Sequence, residues 1–442
     1  MAKERSKSIL TIRLFNENVP TFGVSLKMHK ENSLRFMAKS HHTSLSQLST
    51  WMSRVFAIMV PVSETIWRDL FLTLGIVTHG SWVISNSKQM RQRMARMQDA
   101  KLKPGIGGQQ TYDFSTMYTS MKLDEVEKKM EEYVDLVFEY QKQHDGKSTD
   151  RHQEKVILVK HKGAGGWRVK SDDQHDTKSK KYITADRIKK WIKYLLGELY
   201  VKVGNQIMRQ DIGLPMGTSC SPFLANLVLY MYELEFFTEE ISQLRPWHAD
   251  LKHHKKHKTF CLVRKLSYCT RYIDDLWNPL VDAKEFQQLV KKIYPPWLQL
   301  GLEHEGEIVN YLDMSIWCTA EAKWHSKLYD KKVGLAAKGL KLNRFPHPQS
   351  KLSTRCKYGV ITSQLHRYNV ACTRTCDFKE PALDLYTTYI DKGYKVQQID
   401  SYFERFIRSH MQQRLPPDGV KRMYQQTGLV PSFGSFTRMS AN

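Results

Sequence analysis

Two aspartates, Asp274 and Asp275, stand side by side in "CTRYIDDLW" (269–277), flanked by aromatic and aliphatic residues that read as a buried strand. Adjacent carboxylates repel, so they need either a turn at the tip of that element or something positive to hold them. A strand-turn-strand hairpin brings both out at its tip, where divalent cations shared with a third carboxylate turn the repulsion to use. Mg²⁺ prefers a few carboxylates together with substrate phosphates and water. Two such ions about 3.5–4 Å apart stabilise the attacking and leaving oxygens of phosphoryl transfer. The best third acid is Asp113 in "QTYDFSTMYTSMKLDEV", a strand-like run just ahead of a helical pattern, with Tyr118 five residues on. Surface Asp-Asp pairs are common, so the chemistry requires that these separated blocks meet in space.

The elements that must position them follow from periodicity. Between the acidic blocks lies "RQDIGLPMGTSCSPFLANLVLY". Gly213, Pro215, Met216 and Gly217 make a backbone-permissive turn that lets a base pair approach closely. A helix follows, with Ser219 or Ser221 as cap, Pro222 at the first helical position, and Leu224, Leu227, Val228 and Met231 on its buried face. Residues 123–141 place Val126, Met130, Val134 and Val137 on one face of an amphipathic helix. "KVILVKHKGAGGWRVK" reads as a hairpin turning at Gly163–Gly166; its glycines lack the strand-loop-helix context of a phosphate cradle. A polar linker (171–181) leads to a helix from Thr184, and Gly204-Asn205 suits a two-residue hairpin turn. Helical patterns recur around Val360–Tyr368 and Val396–Met411.

The composition narrows the partner. The chain has 442 residues, room for two or three domains, and 68 Lys+Arg against 45 Asp+Glu give a formal charge of +23. That excess points to a polyanion, most simply nucleic acid. Residues 331–370 carry nine Lys/Arg and no Asp or Glu, which favours a segment that grips a phosphate backbone; Lys338, Lys341, Arg344 and Lys351 are its candidate contacts. Seven scattered cysteines argue against a disulfide framework and for a reducing compartment. The N-terminus lacks an apolar core with a cleavage site, and no stretch reaches the roughly 18 uncharged residues of a membrane span. The expected location is intracellular, nuclear or cytoplasmic, with no membrane partner. His253, His254 and His257 near Cys261 and Cys269 fit no tight zinc template, so "ADLKHHKKHKTF" (249–260) reads as a cationic loop.

In order along the chain, Asp113…Tyr118, "GLPMGTSCSP" and "YIDD" resemble the three blocks of a reverse transcriptase palm. Further segments resemble Penelope-like reverse transcriptases: "PTFGVSLKMHKENSLRFMAKS" their fingers, "VNYLDMSIW" the block after the catalytic hairpin, and "LYDKKVGLAAKGLKLNRFPHPQSKLSTRCKYGVITSQLHRY" the start of their thumb. The similarity spans most of residues 20–410. It implies an α+β right-hand polymerase: fingers (1–112), an antiparallel-sheet, RRM-like palm (113–320) with insertions near 145–181 and 240–260, and a basic helical thumb (321–442). It also implies RNA-directed DNA synthesis on an RNA template from a DNA or RNA primer with dNTPs. Asp113, Asp274 and Asp275 would hold two Mg²⁺ (or Mn²⁺), Asp275 the less directly. Lys27, Lys30 and Arg35 would meet the triphosphate, although the family's Arg-Pro-Ile is "LRFMA" here. The family's C-terminal GIY-YIG nuclease has no counterpart in "KYGVIT", implying an endonuclease-deficient element, with a nuclease in trans, or a fragment. Two other readings use the same residues. An RNA-directed RNA polymerase also employs paired aspartates, but aromatic Tyr118 occupies the volume a 2′-OH needs. A domesticated palm would bind nucleic acid without catalysis.

Overall fold

A computed structural model of the chain describes residues 19–26, 34–39, 43–78, 80–144, 154–250, 256–330 and 345–410. Helices and mainly antiparallel sheets mix in an α+β fold that divides into two compact units. The first runs to Ile84 and resumes from Tyr112 to Glu303; the second takes Ser85–Thr111 and the chain from His304. Residues 85–111, read above with the fingers, thus fold with the later part of the chain.

The first unit opens with β1 (Thr21–Leu26), β2 (Leu34–Lys39) and the long helix α1 (Ser44–Leu72). Helix α2 (Ser87–Asp99) belongs to the second unit. The chain continues through β3 (Gln109–Phe114), the short α3 (Met117–Ser120) and α4 (Leu123–His144). An inserted sheet of β4 (Lys155–Lys160), β5 (Gly166–Val169) and β6 (Lys180–Ile183) precedes α5 (Ala185–Gly197), and the order β5-β4-β6 puts β4 in its middle. The hairpin β7 (Tyr200–Val203) and β8 (Gln206–Arg209) joins β1 and β2 in a sheet of order β2-β1-β7-β8. Then come α6 (Ser221–Leu244), a 3₁₀ turn (Arg245–Asp250) and α7 (His257–Leu266). The acidic hairpin, β9 (Thr270–Tyr272) and β10 (Asp275–Asn278), is followed by α8 (Ala283–Ile293) and β11 (Leu300–Gly306). These make the sheet β11-β3-β10-β9, which positions the site.

Burial explains why these segments fold as they do. On α4 the residues Val126, Met130, Val134 and Val137 are fully buried, as the 3.6-residue period requires. Helix α6 is apolar nearly all round and is buried on almost every side. Trp67 of α1 packs on Phe71, Tyr230 and Phe237, with centroids 5.5, 5.8 and 5.1 Å away. Each such aromatic pair adds about 0.5–1.5 kcal/mol beyond the area it buries. Pro61 lies inside α1 and removes one backbone donor, yet the helix continues because both flanking turns are packed.

Three local readings need correction. The N-cap of α6 is Cys220, with Pro222 one place further in than expected, and the Ser221 hydroxyl turns back to the Pro215 carbonyl (2.8 Å) instead of capping. The polar linker ends early, because Lys180 and Lys181 begin β6, an edge strand where lysine deters further pairing. The 249–260 segment is no continuous loop, since α7 starts at His257.

The second unit holds a three-stranded sheet, β12 (Ile308–Tyr311), β13 (Met314–Cys318) and β14 (Trp324–Leu328), and the helices α9 (Thr354–Ala371), α10 (Thr375–Asp391) and α11 (Val396–His410). Its core gathers Tyr358, Leu365, Phe378, Tyr389 and Phe403. In the β12–β13 turn, Asp313 accepts from Ser87 Oγ (3.0 Å) and from Arg367 Nε (2.9 Å), tying α2 and α9 to the hairpin.

Candidate active site: an acidic triad on neighbouring strands

The hairpin register pairs Tyr272 with Asp275 and leaves Ile273-Asp274 as a two-residue turn. Ile273 adopts φ 57°, a region that glycine normally fills in such turns. A β-branched residue held there costs about 1–3 kcal/mol and persists only where its surroundings over-determine it. Two contacts do so. Arg271 donates to the Ile273 carbonyl (3.1 Å), and Phe114 N on β3 donates to the Asp274 carbonyl (3.0 Å). The second contact sets Asp113, one residue before Phe114, beside the turn. Asp113, Asp274 and Asp275 each offer a carboxylate oxygen, all within 4.8 Å of one another, and all three residues are half-buried.

Such a set can hold a metal ion. The donors are carboxylate oxygens only, which suits Mg²⁺ or Mn²⁺ and not the soft, nitrogen-rich sets of zinc sites. Half-exposure leaves room for substrate oxygens and water in the same coordination sphere. Among the described residues no other group of three His, Cys, Asp or Glu converges in this way. His257 and Cys261 do touch (Nε2 to Sγ, 3.5 Å), but among the described residues no third ligand joins them, and His253 and His254 lie outside the described residues.

Tyr118 sits on α3 close enough to feel the Asp274 carboxylate. Burial first, and then that negative charge, push its phenol up to about 12, so it stays neutral. Its carbonyl accepts from Leu214 N (2.6 Å), and Gly213 N donates to the Met121 carbonyl (2.7 Å). These bonds lay the Gly213–Gly217 turn directly on α3. Gly213 has φ 85°, and a Cβ there would come within 2.6 Å of the Tyr118 carbonyl oxygen and 3.0 Å of Thr119 Cα, both backbone atoms. Only glycine fits. Pro215 is buried, Met216 half-buried and Gly217 exposed.

Arg35 lies on β2 opposite Ser25. Lys27, Lys30, Lys338, Lys341 and Arg344 fall outside the described residues, and Lys351 is exposed in the turn region before α9.

Sequence reasoning missed the support beneath the triad. Arg271 and Glu233 form an ion pair (Nε to Oε1, 2.6 Å) in which both side chains have zero exposure. The other guanidinium nitrogens donate to Asn226 Oδ1 (2.8 Å), the Asn226 carbonyl (3.1 Å), Glu233 Oε2 (3.3 Å) and the Ile273 carbonyl. Tyr294 donates its hydroxyl to Glu233 Oε1 (2.7 Å). Burial raises the Glu233 carboxyl above its ordinary value, opposed by the Arg271 charge and the bonds it receives. Backbone bonds from Arg271 N to the Trp82 carbonyl (2.6 Å) and from Ile84 N to the Arg271 carbonyl (2.9 Å) bind residues 82–84 alongside β9. The available signal was Glu233 in the apolar run "LYMYELEFF": of its two acids, Glu235 is exposed, but Glu233 falls on the buried face, where a glutamate must find a cation.

The fold resembles that of solved structures. A telomerase from Candida albicans, solved in complex with a TWJ fragment of telomeric RNA, superposes with a TM-score of 0.50 at 10% identity. The match covers 98% of this chain and 64% of that one, so the chain spans a little under two thirds of the telomerase. The fold is reverse-transcriptase-like. An apo telomerase from Candida tropicalis is also similar, at 10% identity and a TM-score of 0.44 over 92% of this chain and 61% of that one. No family model and no curated protein matches the sequence.

Proposed function

We propose that the chain is an RNA-directed DNA polymerase that extends a primer 3′-OH on an RNA template, and that it belongs to a Penelope-like retroelement. The observation that supports this most is the meeting of Asp113, Asp274 and Asp275 next to Tyr118, within a reverse-transcriptase-like fold. The retroelement assignment rests on the ordered sequence blocks.

On this reading the three aspartates hold two Mg²⁺ or Mn²⁺, and the bound metal supplies positive charge for the primer hydroxyl and for the triphosphate with its leaving pyrophosphate. Tyr118, kept neutral, closes the space below the sugar of the incoming dNTP. The Gly213–Gly217 turn, with Pro215, Met216 and Gly217, forms the floor under nucleotide and template. Lys27, Lys30 and Arg35 meet the triphosphate, while Lys338, Lys341, Arg344 and Lys351 meet the template-primer backbone. Fingers, palm and thumb take residues 1–112, 113–320 and 321–442, with 85–111 of the fingers packed in the same compact unit as the thumb. The enzyme works inside the cell, in nucleus or cytoplasm, with any endonuclease supplied in trans.

Primer extension on an RNA template with dNTPs and Mg²⁺, run beside the same reaction with NTPs, tests the reading. DNA synthesis is expected, and Asp113→Asn or Asp274→Asn should each abolish it while leaving template binding nearly intact. Full activity in Asp274→Asn would place the reaction elsewhere.

A further inference from the structure

The inserted sheet between α4 and α5 gathers positive charge at one end. Lys160, the last residue of the central strand β4, stands directly opposite Lys180 on β6. The ladder runs one step further, where His161 N donates to the Ser179 carbonyl (2.8 Å), and so brings Lys162 and Lys178 to the same end. Arg54 of α1 joins them by donating to the Lys160 carbonyl (2.9 Å). Like charges set directly opposite in a sheet destabilise it, so this end would be expected to recruit carboxylates. Among the described residues none pairs with it. Glu154 is committed to Lys170, Asp176 to Lys181 and Arg187, and the Asp173 carboxylate takes the Ser171 hydroxyl. Among the described residues no ion pair reaches Arg54, Lys160, Lys162, Lys178 or Lys180.

Protection of a sheet edge would account for Lys180, which lies on an edge strand. It does not account for Lys160 on the central strand, or for Lys162 and Lys178 beyond the ladder. The chemistry beside the charges is also specific. The exposed His161 ring lies 6.4 Å from Trp51, whose indole also carries the Arg54 guanidinium 5.4 Å from its centroid. Gly163 follows at φ 89° with nothing within 4 Å of where a Cβ would stand, so a ligand backbone has open access at the turn. Cations in a row with a flat ring among them match a nucleic-acid strand, which offers regularly spaced phosphates and stackable bases.

We propose that this end of the insertion, built from Arg54, Lys160, His161, Lys162, Lys178 and Lys180, is a second nucleic-acid site that holds the phosphodiester backbone of a single strand outside the acidic centre. It does not depend on the triad being catalytic. The test therefore uses the full chain carrying Asp113→Asn, without divalent metal or nucleotide, so that it is read whether or not the chain polymerises. Binding of a labelled 20-nucleotide RNA, and of DNA of the same sequence, is followed against salt for two quadruple variants. One carries Lys160, Lys162, Lys178 and Lys180→Ala. The other removes four exposed lysines scattered over α4, α5 and α8, namely Lys128, Lys190, Lys284 and Lys291→Ala. Both lose the same charge. The clustered variant is expected to bind at least about tenfold more weakly at low salt and to lose roughly two units or more of the log–log salt slope, at about 0.7 per phosphate contact. The scattered variant should lose well under half of that. A stronger loss for RNA than for DNA would assign the site to the template, and an equal loss to either strand. Equal effects of the two variants would overturn the proposal, as would polyglutamate of matched charge displacing RNA as well as unlabelled RNA does. Circular dichroism of both variants checks that the insertion remains folded.

Discussion

Replacing Arg271 by methionine removes the cation that pairs with Glu233 and leaves a carboxylate with zero exposure, supported among the described residues by the Tyr294 hydroxyl. Breaking a buried ion pair from one side costs about 3–5 kcal/mol, because the remaining charge can neither pair nor reach water. The change also deletes the bond to the Ile273 carbonyl, one of the two contacts holding the turn at φ 57°. The loss should therefore appear locally as well as globally. With two compact units, a single unfolding midpoint is not a defined quantity, so amide hydrogen exchange of peptides spanning 226–237 and 270–278 is the fitting assay. A loss of 3 kcal/mol corresponds to exchange roughly 100-fold faster at about 1.4 kcal/mol per decade. Adding Glu233→Gln removes the stranded charge and keeps an acceptor for Tyr294, and should restore about 2 kcal/mol of that loss. Arg271→Lys keeps the charge but cannot reach all of these acceptors, and should fall between. The pH dependence has a definite sign. The Glu233 carboxyl is already raised in the folded state, and removing Arg271 raises it further. A raised folded value means protons are taken up on folding, so the stability it contributes is present below the unfolded value and is lost as pH rises through the folded one. Arg271→Met should thus be least impaired in acid and most impaired at neutral and higher pH. Unchanged exchange over 270–278, or a double variant no better than the single, would refute the assignment of Arg271 as the brace of the acidic hairpin.

Tyr118→Ala should raise ribonucleotide use relative to deoxyribonucleotide by at least about 1.4 kcal/mol, a tenfold change in single-nucleotide competition; loss of activity with unchanged sugar preference would leave Tyr118 a packing residue. Gly213→Ala should lower the thermal stability of the first unit and disturb Tyr118, since both φ and the backbone atoms 2.6–3.0 Å from the added methyl oppose it. Gly163→Ala, similarly strained in φ but in open space, should cost only about 1–2 kcal/mol, read by amide hydrogen exchange over 155–170. Asp275→Asn should retain more nucleotide addition than Asp274→Asn under identical metal concentrations.

The site's acids were legible because chemistry constrains residue type at fixed spacing. Asp113 with Tyr118 five residues on, the glycine-proline turn and the Asp-Asp pair could be read with no knowledge of the fold. The helices α4 and α5 were legible through their apolar periods, and Thr184, where a helix was expected to begin, caps α5 by accepting from Arg187 N (3.3 Å). What failed did so where tertiary contacts override local preference. The Ser221 hydroxyl, a good cap by type, has the Pro215 carbonyl within reach and bonds to it instead. Lys180 and Lys181 look like linker residues, but β4 supplies the strand that pairs with them. The Arg271–Glu233 brace joins residues 38 positions apart through the interior, and no local pattern marks which glutamate an arginine will meet.

A second hairpin in the chain separates what the turn provides from what the site adds. Tyr272-Ile273-Asp274-Asp275 and Tyr311-Leu312-Asp313-Met314 are closed by the same register, with a two-residue turn whose first member is aliphatic at φ 57° and 56° respectively. Each turn presents an aspartate at its second position. In the second hairpin that carboxylate takes the guanidinium of Arg367 and the hydroxyl of Ser87, and becomes a structural tie. In the first it meets the carboxylates of Asp113 and Asp275. The backbone device is therefore indifferent to outcome: it lifts a carboxylate to the tip of a hairpin at the cost of a strained residue. A tie is stabilising on its own, because the opposite charge is built in. A triad of like charges is not, and its mutual repulsion falls only when a cation enters. The Arg271 brace fits that difference, since it fixes the carbonyl of the strained Ile273 through its guanidinium. A hairpin held this way keeps its acids within 4.8 Å of one another, close enough to share a cation, which is the arrangement that metal-assisted phosphoryl transfer requires.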